Sequence, residues 1–128
     1  KELFEALKII FNLNDLHWEF NHLLEFTNQN LISAYTLLES VLMTQKGLTQ
    51  EIQTHLKQVN LAQLKPLCHK IIGGAKLINA EYLIVHCQKI ERSQEDIQQS
   101  LIHSVYQELI RLNHQIQDFL EKNHSNMI

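Results

Sequence analysis

The segment from Leu61 to Asn79 contains the residues whose types and spacing point to chemistry, and it reads LAQLKPLCHKIIGGAKLIN. On a helical wheel with about 100° per residue, its apolar side chains gather between roughly 160° and 260° from His69. His69 is therefore predicted to face solvent in the middle of a helix. Gly73, Lys76 and Lys65 share its face, at about 40°, −20° and −40° on the same wheel.

This face combines a nucleophile with positive charge and open space. An exposed imidazole is largely neutral at pH 7 and has a nucleophilic nitrogen, and the two lysines favour an anion beside it. Glycine inside a helix costs up to about 1 kcal/mol relative to alanine, so Gly73 requires a reason. We expect that a side chain there would crowd the imidazole of His69, and that its absence leaves room for a large group or a docking partner. Together these features favour a site that accepts a phosphoryl group.

Other residues border this face of the predicted helix. Ile72 and Leu77 flank it at about −60° and 80°, where they would form the apolar part of a docking patch. Lys70 lies about 100° from His69, so it is a weaker candidate for contact with an anion than the other two lysines. Gly74, at about 140°, points towards the buried stripe, where close helix packing is expected.

The elements that position this face are predicted to be helices. Three glycines and one proline in 128 residues are too few for sandwiches or barrels, which need a turn every ~8–12 residues. The same shortage excludes a glycine-rich phosphate loop and argues against a nucleotide site of that kind. The hydrophobic fraction of 45 % supports a real core, and a chain of this length suits one domain.

Apolar residues at helical spacing place the helices along the chain. They indicate segments at 3–11, 16–26, 31–59, 61–79, 83–90 and 97–119, followed by a frayed end at 123–128. Gly47 is the expected site of a notch in the third segment, and Pro66 either kinks the fourth or marks its effective start. Four helices with short connections, from about Asn30 to Lys122, predict an antiparallel bundle. The expected end signals are Asn30 and Asn60 as N-caps, a left-handed Asn79, and a capping box formed by Ser93 and Asp96.

Charge and cysteine content limit the partners and the compartment. The net charge is −3 and the pI about 6.2, so no basic excess favours a nucleic acid. The uncharged apolar stretches are far shorter than the ~20 residues of a membrane span, and no signal peptide is visible. Cys68 and Cys87, the two cysteines, occupy apolar helical positions typical of buried thiols in a reducing compartment, with a disulfide as the alternative. Because the chain begins at Lys1 rather than Met, we expect it to be a piece of a longer protein.

The run CHKIIGGA, residues 68–75, resembles the AH-x-L-K-G-[SA] signature of histidine-containing phosphotransfer (HPt) domains. Asn79-Ala80 matches the small-residue turn of that family, and CQKIE, residues 87–91, matches its c-x-x-[LI]-E run. The resemblance extends over roughly residues 20–122, where 31–56 fits the long helix before the signature. In one departure, Ile72 stands where the family usually has Lys, so Lys76 and Lys65 would have to supply the positive charge.

The resemblance implies an HPt four-helix bundle at 19–124, a helix or linker at 1–18 that follows a receiver domain, and a frayed C-terminus at 125–128. It implies that His69 accepts a phosphoryl group from a receiver aspartate and passes it to a response-regulator aspartate. The residues expected to support the phosphate or the partner are Lys65, Lys70, Ile72, Gly73, Lys76 and Leu77.

The same resemblance implies the setting of the reaction. The partners would be receiver domains of the same parent chain and of a response regulator, without nucleic acid or direct membrane contact. The domain would have no cofactor and no ATP site of its own, and the receiver's acidic pocket would supply Mg²⁺. The parent would be a hybrid sensor histidine kinase of the bacterial inner membrane, with this domain at its C-terminal end in the cytoplasm. A free-standing HPt protein is the alternative.

Two further classes of function fit parts of the sequence. Di-iron bundles use Glu-x-x-His pairs on facing helices, and both Glu19-x-x-His22 and Glu121-x-x-His124 have that spacing. The second pair lies in the segment expected to fray, and no inward-facing pair of glutamates accompanies either one. Long amphipathic helices also suit a purely structural dimerisation bundle, against which only the His69 region argues.

Overall fold

The computed structural model of the chain describes residues 17–58, 60–94 and 99–127. All regular secondary structure in this part is α-helical, which confirms the all-α class. The helices are α1 (Phe20–Phe26), α2 (Leu31–Gln53), α3 (Leu61–Leu77), α4 (Glu81–Glu91) and α5 (Gln99–Met127). The expected helix at 3–11, the Asp96 half of the capping box and the start of the last helix at Ile97 lie outside the described residues.

Asparagine side chains begin two of the helices, as predicted. The side chain of Asn30 accepts a hydrogen bond from the backbone N–H of Ser33 at 2.9 Å, and that of Asn60 accepts one from Gln63 at 3.4 Å. Both residues have extended backbones, so their side-chain oxygens can turn back onto the first helical turn. These caps fix where α2 and α3 begin.

The long second helix differs from the prediction in two ways. α2 continues without a notch at Gly47, because apolar side chains on its other face, Leu42, Leu48 and Ile52 among them, are buried. It ends at Gln53 rather than near Val59, and a turn occupies residues 54–58. A break between the two helices is required because Asn60 caps α3 from an extended backbone.

α3 begins before its proline and ends in a left-handed turn. Pro66 lies within the helix and is exposed, so the prediction that it marks the helix start is wrong. Asn79 has a φ of 51°, as predicted. Its N–H donates to the carbonyl of Lys76 at 3.3 Å, and the N–H of Ala80 donates to that of Ala75 at 2.9 Å. This pair of bonds satisfies carbonyls that the end of α3 would otherwise leave unpaired.

The helices pack in a closed cycle, α2 against α3, α3 against α4, α4 against α5, and α5 against α2, with α1 against α2 and α3. Aliphatic side chains fill the space between them, and Trp18 and Phe20 cover one part by packing on Phe119, with ring centroids 5.3 and 4.8 Å away. None of the helices in the described ranges is long and apolar enough to cross a bilayer. The largest side chains that are fully buried are Phe20, Leu23, Leu38, Ile52, Leu64, Ile71, Ile78, Leu83, Ile90, Ile102 and Phe119.

The two cysteines are free and buried, on the facing helices α3 and α4. Two main effects raise the pKa of the Cys87 thiol far above its usual range. The larger is its hydrogen bond with Cys68, and the smaller is burial away from water. The Cys87 thiol therefore stays protonated, and both cysteines act as small core side chains.

The C-terminal helix continues further than predicted. The segment expected to fray from Asn123 onwards is helical to Met127. Asn123 is fully buried and its side-chain amide donates to the carbonyl of Phe119 at 2.9 Å, which anchors this turn of α5.

Candidate functional site

His69 lies in the middle of α3 with its side chain 82 % exposed, as predicted. The opposite side of the helix is anchored in the core by Leu64, Ile71 and Ala75, which are fully buried. Because this buried stripe fixes the rotation of α3 about its axis, the imidazole is presented to solvent from a rigid element.

The imidazole is held by a carboxylate from the next helix. Nδ1 of His69 is 2.8 Å from Oε1 of Glu91, the last residue of α4, whose side chain is 28 % exposed. An ionised carboxylate only accepts hydrogen bonds, so Nδ1 carries a hydrogen and, in the neutral ring, Nε2 has the lone pair. Within the described residues Nε2 has no hydrogen-bond partner. The carboxylate fixes the tautomer and the orientation of the ring, which leaves Nε2 as the nitrogen available for a reaction.

The other described histidines lack this combination. His17 also meets a carboxylate, with Nδ1 2.8 Å from Oε2 of Glu108, but Arg111 approaches its Nε2 at 3.3 Å. His86 donates from Nδ1 to the backbone carbonyl of Tyr82 at 2.7 Å, a neutral acceptor. Among the histidines of the described ranges, His69 is the one that pairs a carboxylate-bound Nδ1 with an unoccupied Nε2 on a highly exposed ring.

Gly73 leaves the surface next to His69 open, but it is not needed to keep a side chain from crowding the imidazole. A Cβ placed on Gly73 would meet no heavy atom within 4 Å. The prediction that a side chain there would crowd the imidazole of His69 is therefore wrong for the free protein. The neighbouring Gly74 lies at a helix contact, because its added Cβ would be 3.9 Å from Cγ1 of Val41 in α2.

The three lysines of the predicted site lie on the same helix as His69 and differ in their exposure to solvent. Lys70 and Lys76 are exposed, and Lys65, one turn before His69, is half-buried. No carboxylate among the described residues forms an ion pair with any of them. Lys65 and Lys76 lie on the side of α3 that adjoins α4, whereas Lys70 lies towards α2.

Ile72 does not belong to an exposed docking patch. It is only 6 % exposed and is part of the core. The wheel places Ile72 beside Cys68, and Cys68 contacts Cys87 of α4, so this is the side of α3 that α4 covers. Leu77 is half-buried against the core. The apolar part of the predicted patch is thus reduced to Leu77 and the bare surface of Gly73.

Glu91 is the residue of the candidate site that the sequence did not indicate. It stands in the CQKIE run, which was matched to a family pattern without a role for its acidic residue. Its contact with His69 spans 22 residues of sequence. Only the antiparallel pairing of α3 and α4 through the short connection at 78–80 could have indicated that contact.

The described ranges contain no group of three or more His, Cys, Asp or Glu side chains arranged to hold a metal. One side chain of each Glu-x-x-His pair is engaged elsewhere. Glu19 accepts a hydrogen bond from Asn79 at 3.0 Å, and Nδ1 of His124 is 3.1 Å from the hydroxyl of Tyr35.

Comparison of the chain with protein-family models, with curated proteins and with solved structures found no match. The functional assignment therefore depends on the geometry of His69 and on the signature around it. Both concern an imidazole on an exposed helix face.

Proposed function

We propose that the chain is an HPt domain of a two-component phosphorelay and that His69 is its phosphorylated residue. The observation that carries the proposal is the carboxylate-bound imidazole, with Nδ1 2.8 Å from Glu91 and Nε2 open to solvent. A phosphoryl carrier needs a nucleophile that is oriented before the donor arrives and accessible to a whole protein domain. A histidine 82 % exposed in mid-helix meets both needs.

We infer that α2, α3, α4 and α5 form the antiparallel four-helix bundle of this class. Support comes from the closed cycle of contacts among these four helices and from the short connection between α3 and α4. α1 would then cover α2 and α3 as an additional helix.

The reaction follows from the free lone pair. Nε2 attacks the phosphorus of a receiver's aspartyl phosphate in line with the bond that breaks, and the aspartate leaves as a carboxylate. The imidazole ring becomes positively charged, since Nδ1 keeps its proton, and the carboxylate of Glu91 stabilises that charge. In the onward step a second receiver aspartate attacks the phosphorus and the neutral imidazole leaves. Receiver acidic residues would hold the Mg²⁺ of the transfer.

The surroundings of His69 suit a protein partner. Lys65, Lys76 and Lys70 give this face positive charge, which attracts the acidic pocket of a receiver and speeds encounter. Gly73 leaves the surface flat one turn after the imidazole, so the partner's phosphoaspartate can approach closely. We place the domain in the cytoplasm, at the C-terminal end of a hybrid sensor histidine kinase of the bacterial inner membrane. A free-standing HPt protein would use the same site.

Phosphotransfer from a labelled receiver tests the proposal. Wild type, His69→Gln and His86→Gln are incubated with a phosphorylated receiver and Mg²⁺, and labelling is followed with time. Wild type and His86→Gln should be labelled alike, His69→Gln should not, and the label should be acid-labile and base-stable, as phosphohistidine is. Equal labelling of His69→Gln would contradict the proposal. Absence of labelling from a panel of receivers would favour the structural bundle.

A further inference from the structure

A phosphoryl group on His69 needs a nearby cation to neutralise its charge. None of the lysines predicted for the site lies close to it. A phosphoryl group carries about −1.5 to −2 charges near pH 7. The Glu91 carboxylate, 2.8 Å from the ring, offsets the positive charge of the phosphorylated imidazole, so the phosphoryl charge itself stays uncompensated. Ile72, one turn after His69, is apolar and buried. On α3 itself, Lys76 is two turns away and Lys65 is half-buried.

The C-terminal end of α4 lies beside His69 of α3. α3 and α4 are antiparallel, because three residues connect them and Glu91, at the last position of α4, lies level with His69. Helical side chains lean towards the N-terminus of their own helix, so His69 leans towards the Leu61 end of α3. Arg92 follows Glu91 and lies one step further along α4 in that same direction, as its exposed C-cap residue.

The rotation of α4 about its axis sets which of its cations faces this site. Arg92 is turned about 100° from Glu91 and about 140° from Cys87, so it points to solvent on the Glu91 side of the helix. Lys89, in the same last turn, is turned about 160° from Glu91 and points away from α3. Both side chains are exposed, and no carboxylate of the described residues forms an ion pair with either.

We propose that Arg92 binds the phosphoryl group on His69, an assignment that rests on the proposed function. Its guanidinium donates two parallel N–H···O bonds to phosphoryl oxygens, in the planar geometry that suits arginine and phosphate. During transfer the Nε2–phosphorus bond forms while the bond from phosphorus to the aspartate oxygen breaks. Arg92 stabilises the negative charge of the phosphoryl oxygens throughout this step. The phosphoryl site is then a cradle between α3 and α4, with Glu91 holding the ring and Arg92 holding the phosphate.

The test compares Arg92→Ala with Lys89→Ala, which removes the same charge from the same turn of α4. Labelling rates are measured with a phosphorylated receiver and with phosphoramidate, a small donor whose ammonia leaves as its phosphoryl group transfers. Arg92→Ala should slow labelling from both donors about tenfold, a loss of about 1.4 kcal/mol of transition-state stabilisation. Lys89→Ala should stay within about twofold of wild type, and Arg92→Lys should fall between, because lysine keeps the charge without the paired donors. Circular dichroism confirms that the variants fold.

Each other outcome overturns the assignment. Equal slowing by Arg92→Ala and Lys89→Ala would mean that only the general positive field matters. Slowing with the receiver but not with phosphoramidate would place Arg92 in contact with the partner rather than with the phosphoryl group. Wild-type labelling with no effect of Arg92→Ala would reject Arg92 and leave the proposed function standing. A wild type that neither donor labels would reject both.

Discussion

Replacing Gly73 by alanine has opposite expected effects on two properties: the stability of α3 and the docking of a receiver on the surface beside His69. A Cβ at Gly73 meets nothing within 4 Å, so the substitution introduces no clash in the free protein. Alanine in a helix interior is favoured over glycine by up to about 1 kcal/mol. We therefore expect Gly73→Ala to raise the melting temperature, by roughly 2–5 °C for a chain of this size.

The same methyl group should impair phosphotransfer. If a receiver packs against the bare surface at Gly73, an added methyl overpacks that contact, which costs about 1–3 kcal/mol. At about 1.4 kcal/mol per factor of ten, transfer should slow between about fivefold and 140-fold. Gly47→Ala is the matched control, because Gly47 is also exposed, helical and free of contacts for an added Cβ, but lies in α2.

Two measurements on the three proteins decide the outcome. Thermal unfolding followed by circular dichroism gives the stability, and single-turnover transfer from a phosphorylated receiver gives the rate. Both alanine variants should be more stable than wild type, and only Gly73→Ala should be slow. A Gly73→Ala variant that transfers as fast as Gly47→Ala would refute the idea that a partner uses the open surface beside His69.

Three further predictions follow from named contacts. Glu91→Ala should slow transfer to His69 by about 10–100-fold, as the loss of a hydrogen bond that orients a functional imidazole does, and Glu91→Gln should fall between it and wild type. Lys76→Ala should slow transfer more than Lys70→Ala in the same single-turnover assay, because Lys76 shares the His69 face. The raised pKa of Cys87 keeps its thiol protonated in the folded state, so its contribution to stability is complete below the ordinary thiol pKa of 9.0 and declines as pH rises above it. Urea unfolding at pH 7 and pH 10 should therefore show a smaller loss of stability for Cys87→Ala than for wild type.

A contrary result for any of these variants would reject the contact or the residue assignment that it tests. A Glu91→Ala variant with unchanged rates would show that the contact with His69 does not prepare Nε2. Equal effects of the two lysine variants would reject the assignment of Lys76. A Cys87→Ala variant that loses as much stability as wild type at pH 10 would mean that other groups cause the alkaline loss.

The helical fold and the exposure of His69 could be predicted because both follow from local periodicity. The buried stripe of α3 repeats at the helical period, so the opposite face, with His69 on it, has to meet solvent. The caps at Asn30 and Asn60 and the left-handed Asn79 are also local, since each depends on a side chain or backbone within a few residues.

The features that sequence reasoning missed depend on which helix packs where. Ile72 lies at the border of the stripe on a wheel, and only the position of α4 decides that it is buried. Glu91 reaches His69 because α4 returns antiparallel beside α3. The extension of α5 past Asn123 depends on burial of that asparagine in the core, which its polar side chain did not suggest.

Locating the phosphoryl group after transfer tests the central claim most directly. Wild-type protein labelled by a receiver is digested at neutral to basic pH, where phosphohistidine survives, and its peptides are sequenced by tandem mass spectrometry. The site described here predicts a single modified residue, His69, with the ³¹P resonance of a phosphoramidate at Nε2. A phosphoryl group found on another histidine, or on a serine or aspartate of this chain, would contradict the account.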